Sequence, residues 1–72
     1  MNNAECLKLL LAAPSIDVNQ ADNDGTTPLY IAAQNDNPES VTLLLAVLSI
    51  DVNQANSNGA TPLFIAAQEG SA

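Results

Sequence analysis

Apolar and polar residues alternate in blocks along the chain. Leu, Ile, Val and Ala dominate residues 7–13, 29–33, 41–48 and 63–67, and mostly polar segments separate these blocks. Each block has the length of about one to two helical turns. In the third block, Val41, Leu44, Leu45 and Leu48 have the i, i+3, i+4, i+7 spacing of one helix face. The pattern therefore predicts short amphipathic helices joined by polar turns.

Local signals give the ends of these elements. A capping residue followed by proline is typical of a helix start, because proline needs no N–H partner there. This pairing occurs at Thr27-Pro28, Asn37-Pro38 and Thr61-Pro62. The dipeptides Asp24-Gly25 and Asn58-Gly59 favour tight turns with positive φ. Helices are predicted over residues 4–12, 27–35, 38–47 and 61–69.

Most of the chain is an internal repeat with an offset of 34 residues. Residues 5–34 and 39–68 are identical at 20 of 30 aligned positions. Residues 27–34 recur at 61–68 with a single change, Tyr30 to Phe64. One unit consists of a turn, a short helix, a tight link and a second helix. Because such a unit cannot bury both faces alone, successive units are expected to stack.

The repeated residues resemble the ankyrin-repeat family. The pattern Gly-x-Thr-Pro-Leu-x-x-Ala-Ala occurs at residues 25–33 and 59–67, and Asp-Val-Asn occurs at 17–19 and 51–53. The resemblance covers essentially the whole chain. It implies an all-α solenoid of stacked helix-turn-helix units joined by hairpin-like turns. Residues 1–19 would hold the second helix of a partial repeat, 20–53 a complete repeat, and 54–72 the first helix of a partial repeat.

Two positions depart from the family pattern. Tyr30 and Phe64 stand where the family usually has His. The usual Gly between the two helices is replaced by Asp36 and Asn2, whereas Gly70 keeps it. Asp and Asn tolerate a left-handed backbone better than other non-glycine residues, so the link between the helices is expected to form.

The net charge limits the classes of partner that are expected. The formal net charge is −7, with eight acidic residues and one basic residue, Lys8. Nucleic acids and anionic membranes are bound through Lys and Arg, so neither is expected as a partner. The apolar run Leu43–Leu48 is too short to span a bilayer. A neutral or basic protein partner and an intracellular, cytoplasmic location are expected.

Few residues in the sequence are suited to catalysis or to metal binding. The chain has no histidine for general-base work, so no enzyme activity, catalytic residue or cofactor is predicted. Cys6 is expected to be a small buried side chain. The segment Gln20-x-Asp22-x-Asp24-Gly25 echoes a calcium loop, but Ile31 stands where the bidentate Glu is needed. Asx side chains bonding the local backbone are the favoured interpretation, with a calcium-binding turn as the weaker alternative and no metal ligand assigned.

The resemblance also implies a binding surface. In the ankyrin family, turn tips and the exposed face of the first helices form a concave surface for protein partners. Carried over by motif, the candidate partner-binding residues are Asn23, Asp24, Thr26, Gln34, Asn35, Ser57, Asn58, Ala60, Gln68 and Glu69. These side chains are mostly amides and hydroxyls and indicate no particular partner.

Both ends of the stack are expected to be apolar. Leu7, Leu10 and Leu11 lie at one end, and Leu63, Ile65 and Ala66 at the other. Repeat arrays normally carry polar end caps. One explanation is that the chain is part of a longer array and inert alone. The other is head-to-tail self-association, in which the last helix of one copy pairs with the first helix of another and residues 69–72 and 1–4 splay apart.

Overall fold

The computed structural model describes residues 3–69, which contain four α-helices and no strand. The helices are α1 (Asn3–Leu11), α2 (Pro28–Gln34), α3 (Pro38–Leu45) and α4 (Pro62–Gln68). The prediction of an all-α fold with four short helices is confirmed. The start of α3 is as predicted, and the other observed helix ends differ from the predicted ones by one or two residues.

The helices form two layers. α2 packs beside α4 in one layer, α1 packs beside α3 in the other, and α2 contacts α3 between the layers. The described part measures 31 × 23 × 21 Å along its principal axes. First helices therefore stack on first helices and second helices on second helices, as the repeat predicts.

The core lies where α2 meets α3. Leu29, Ala32 and Leu44 are buried in one cluster. Leu7, Leu11, Val41 and Ile50 are partly buried and pack against this cluster.

The helix stripe predicted for the third block is wrong at its last position, Leu48, whereas Val41 and Leu45 line one groove. Leu45 and Leu48 are exposed. Because α3 ends at Leu45, Leu48 lies outside the helix and does not share a face with Val41 and Leu44.

Threonine side chains cap the first helices as predicted. Thr27 Oγ1 accepts a hydrogen bond from Tyr30 N–H at 3.3 Å, and Thr61 Oγ1 accepts one from Phe64 N–H at 3.2 Å. Asn37 occupies the N-cap position of α3 but makes no side-chain capping bond. Its own N–H donates to Ala32 O at 3.0 Å, so this residue closes α2 while it opens α3.

The link between α2 and α3 is a Schellman motif. Asp36 has a φ of 52°, its N–H donates to Ala33 O at 3.2 Å, and the Asn37 N–H reaches Ala32 O. The prediction that Asp36 takes over the left-handed position of glycine is confirmed. The corresponding Asn2 and Gly70 lie outside the described residues.

Two predictions about burial are wrong. Cys6 is exposed, because no first helix packs against α1 within residues 3–69. Ile65 is buried, because it lies in α4 where that helix packs against α2. It is therefore part of a contact between units and not of the open end of the stack.

Candidate partner-binding surface

The turn that precedes α2 is closed by its own main chain. Asp22 N–H donates to Thr26 O, and Gly25 N–H donates to Asp22 O, both at 3.0 Å. Asp22 Oδ1 also accepts hydrogen bonds from the N–H groups of Asp24 at 2.9 Å and Thr26 at 3.0 Å. The prediction that Asx side chains bond the local backbone is confirmed.

The turn that precedes α4 repeats this arrangement with an amide. Asn56 Oδ1 accepts from Asn58 N–H at 2.9 Å and from Ala60 N–H at 3.0 Å. Because a carboxylate and an amide fill the same role, the shared requirement is one acceptor oxygen. Ligation of a metal is not needed to explain an acid at position 22.

The two turn tips are hydrogen-bonded to each other. Ser57 N–H donates to Asp24 O at 2.8 Å. Gly25 has a φ of +76°, and a Cβ there would lie 3.1 Å from Asn56 Cα. Glycine at position 25 thus allows both the turn and the close approach of its neighbour. Successive tips are fixed in one row.

A second bridge joins the units behind the tips. Asn19 Nδ2 donates to Ser49 O at 2.9 Å, and Asn19 Oδ1 accepts from Asp51 N–H at 2.8 Å. Asn19 was recognised in the sequence only as part of the Asp-Val-Asn motif, so this role was not predicted. The recurrence of Asp-Val-Asn at the same place in each unit was the available signal.

The predicted binding residues fall into two groups in each unit. Asn23 and Asp24 are exposed at the first tip and Ser57 and Asn58 at the second, whereas Thr26 and Ala60 behind the tips are partly buried. The residues at the far end of the first helices are also exposed, namely Gln34, Asn35, Gln68 and Glu69. A seven-residue helix, about 10 Å long, lies between the two groups in each unit.

Apolar residues lie in the sequence between these two groups. Ile31 and Phe64 are exposed on α2 and α4, and Tyr30 is half-buried. They are not among the predicted binding residues, which were carried over by motif and lie at the turns and at the ends of the first helices. In the part of the chain that the structure describes, the Tyr30 hydroxyl forms no hydrogen bond. An aromatic ring replaces the usual His here without a polar contact to the turns.

The surface is acidic, and the charge is unevenly placed. All eight acidic side chains are exposed. The first turn carries Asp22 and Asp24, whereas the second carries Asn56 and Asn58 at the equivalent positions. Of the two tips, the first therefore carries the greater negative charge.

The requirements of a clustered metal site and of a membrane-spanning helix are not met within residues 3–69. Residues 3–69 contain no group of three or more His, Cys, Asp or Glu side chains arranged to hold a metal ion. Among the helices of this part, none combines the length and the apolar character that crossing a membrane requires.

The stacked helix pairs and the in-register turns define a helical repeat protein. Comparison with known families agrees: the family model for ankyrin repeats in three copies matches residues 1–72. The chain belongs to the ankyrin-repeat family. Members of this family are generally non-catalytic modules that bind other proteins. A search of curated proteins finds no match.

Proposed function

We propose that this chain binds another protein through the tips of its two turns together with the exposed residues of α2 and α4. The observation that carries the proposal is the hydrogen bond from Ser57 N–H to Asp24 O. It holds the exposed side chains of one tip at a fixed position relative to those of the next. A preorganised row of this kind loses little conformational entropy when a partner docks.

The partner proposed is a neutral or basic segment of a protein. Asp24 at the first tip and Glu69 at the end of α4 are exposed acids, and the only basic side chain, Lys8, lies on α1 outside this surface. Complementary charge mainly accelerates association and weakens with salt. Phe64 is the one exposed aromatic ring available as an anchor.

The proposed role is non-catalytic. The chain has no histidine, and its eight acidic side chains are all exposed to solvent. Asp22, the most engaged of them, accepts two backbone hydrogen bonds that build the turn. The side chains on this surface can recognise a partner but include no nucleophile with a paired base.

Selection from a random peptide library displayed on phage tests the proposal, and it does not require the natural partner to be identified. Peptides enriched on the wild-type chain are then assayed against the double variant Asp24→Lys, Asn58→Lys. Both side chains are exposed, and their hydrogen bonds in the turn are made by the main chain. The turns should therefore persist in the variant.

The matched control is Glu39→Lys, an exposed acid-to-lysine change on α3, away from the tips. The proposal predicts peptides rich in Lys and Arg whose affinity falls at least tenfold with the tip variant and is little changed with the control. Peptides that bind the tip variant as well as the wild type would contradict it.

A further inference from the structure

The two end faces of the stack are open grooves. Within residues 3–69, no first helix covers α1 and no second helix follows α4. The first groove, here called the amino-terminal groove, has a volume of about 630 Å³ and is lined by residues that include Leu7, Leu10, Ile31 and Leu44. The second, the carboxy-terminal groove, measures about 380 Å³ and is lined by residues that include Leu45, Val52, Leu63 and Ala66.

Repeat-equivalent residues show what the carboxy-terminal groove lacks. Leu29 in α2 is 3% exposed, whereas its equivalent Leu63 in α4 is 78% exposed. Val18 is buried, whereas its equivalent Val52 is exposed. Leu29 packs with Leu44 of α3, the second helix of its unit, whereas no second helix follows α4 within residues 3–69. The missing cover is therefore a second helix like α3.

Within residues 3–69, the amino-terminal groove lacks a first helix, whereas the carboxy-terminal groove lacks a second helix. Leu44 in α3 is 1% exposed, whereas its equivalent Leu10 in α1 is 57% exposed. Ile65 in α4 is 5% exposed because α2 lies beside it, whereas Ile31 in α2 is 44% exposed. The missing cover on this side is a first helix like α4.

We propose that a second copy of the same chain fills both grooves at once, in a head-to-tail contact. α4 of the leading copy occupies the amino-terminal groove of the following copy, and α1 of the following copy occupies the carboxy-terminal groove of the leading one. The chain itself contains the required helices. α4 differs from α2 only by Phe64 in place of Tyr30, and α1 is the repeat equivalent of α3.

The junction between copies reproduces a contact already present within the chain. Leu29 and Leu44 pack in one buried cluster inside the stack. Shifting this pair by one repeat gives Leu63 of the leading copy against Leu10 of the following copy. Both are large, exposed and apolar in the single chain, so the contact removes their surface from water. Residues 69–72 of the leading copy and 1–4 of the following copy fall at the same repeat positions.

Electrostatic repulsion between the copies opposes the contact, and it makes the association depend on salt. Each copy carries a formal charge of −7, so two copies repel each other. At physiological salt the Debye length is about 8 Å, and salt screens this repulsion while leaving the apolar contact intact. Association is therefore expected to strengthen as the salt concentration rises. The contact joins two different faces, so it stays open at both ends and continues beyond two copies.

Light scattering across a hundredfold range of protein concentration tests the proposal with three variants of one type. Leu10→Gln changes the amino-terminal groove, Leu63→Gln changes the carboxy-terminal groove, and Leu48→Gln is the control. All three side chains are exposed in the single chain and Leu48 lines neither groove, so the fold is retained. Circular dichroism verifies the helix content of each variant.

The wild type and Leu48→Gln are expected to rise in mass with concentration and with salt, past two copies. Leu10→Gln and Leu63→Gln alone should each need at least tenfold more protein to associate. Mixed together, they should form a one-to-one dimer that grows no further, because each supplies the face that the other lacks. A wild-type mass that stays at one copy, a mass that stops at two, or mixing that forms no dimer would overturn the proposal.

Discussion

Gly25 and Gly59 occupy the same position in successive units, with φ values of +76° and +81°, but their surroundings differ. A Cβ at Gly25 would meet the Asn56 main chain, whereas at Gly59 no atom lies within 4 Å. The equivalent glycine is therefore under two constraints at the first tip, the positive φ and the close neighbour, and under one at the second. Substitutions at the two positions therefore distinguish the energetic cost of the left-handed turn conformation from the cost of disturbing the packing between turns.

The pair gives a prediction at the scale of the residue. Gly59→Ala should lower the free energy of unfolding by about 1 kcal/mol, the typical strain of an L-residue in a left-handed conformation. Gly25→Ala should lower it clearly further, because the stacked turn must also shift and its hydrogen bond from Ser57 to Asp24 must lengthen. Urea unfolding followed by circular dichroism measures both. Equal losses would mean that the two turns do not pack closely.

At the scale of the element, short helices are determined mainly by their ends. α2 and α4 have only seven residues each, too few to be stable as isolated helices. Threonine caps and N1 prolines specify where they begin, and the Schellman motif at Asp36 specifies where α2 ends. Packing between the two layers supplies the remaining stabilisation.

Asp36 gives the prediction for this scale. Its φ of 52° is a conformation that glycine adopts without strain. Asp36→Gly is therefore expected to raise the free energy of unfolding by about 0.5 kcal/mol, after allowing for the greater entropy of glycine in the unfolded chain. Asp36→Ala is the control and should lower it, because alanine has neither freedom nor a polar side chain. Thermal melts of the three proteins give the order, and a more stable alanine variant would contradict this description of the link.

At the scale of the whole molecule, the repeat predicts which residues are equivalent but not which are buried. The helices, the Thr27 cap, the Asx turns and the left-handed Asp36 are local features, so the sequence was sufficient to predict them. The burial of Cys6 and Ile65 was predicted wrongly because it depends on which neighbour packs against each helix. The exposure of Leu48 depends on where α3 ends.

The candidate surface likewise combines features that lie within one unit and contacts between units. The positions of Asn23 and Asn58 at turn tips follow from motifs within one unit. The bridge made by Asn19 and the alignment of the two tips are contacts between units, 30 or more residues apart in sequence for Asn19. Patterns within one unit do not indicate such contacts. Partner binding by the ten predicted residues remains a prediction, which the peptide selection addresses.

The central claim is that burial in this chain is set by the presence of a stacking neighbour. Methyl NMR with a soluble paramagnetic relaxation agent measures it directly on Leu and Ile side chains. At low protein concentration, we expect strong relaxation enhancement of the Leu10, Leu63 and Ile31 methyls, while those of Leu29, Leu44 and Ile65 are protected. Equal protection of the two sets at the lowest concentration would contradict the claim.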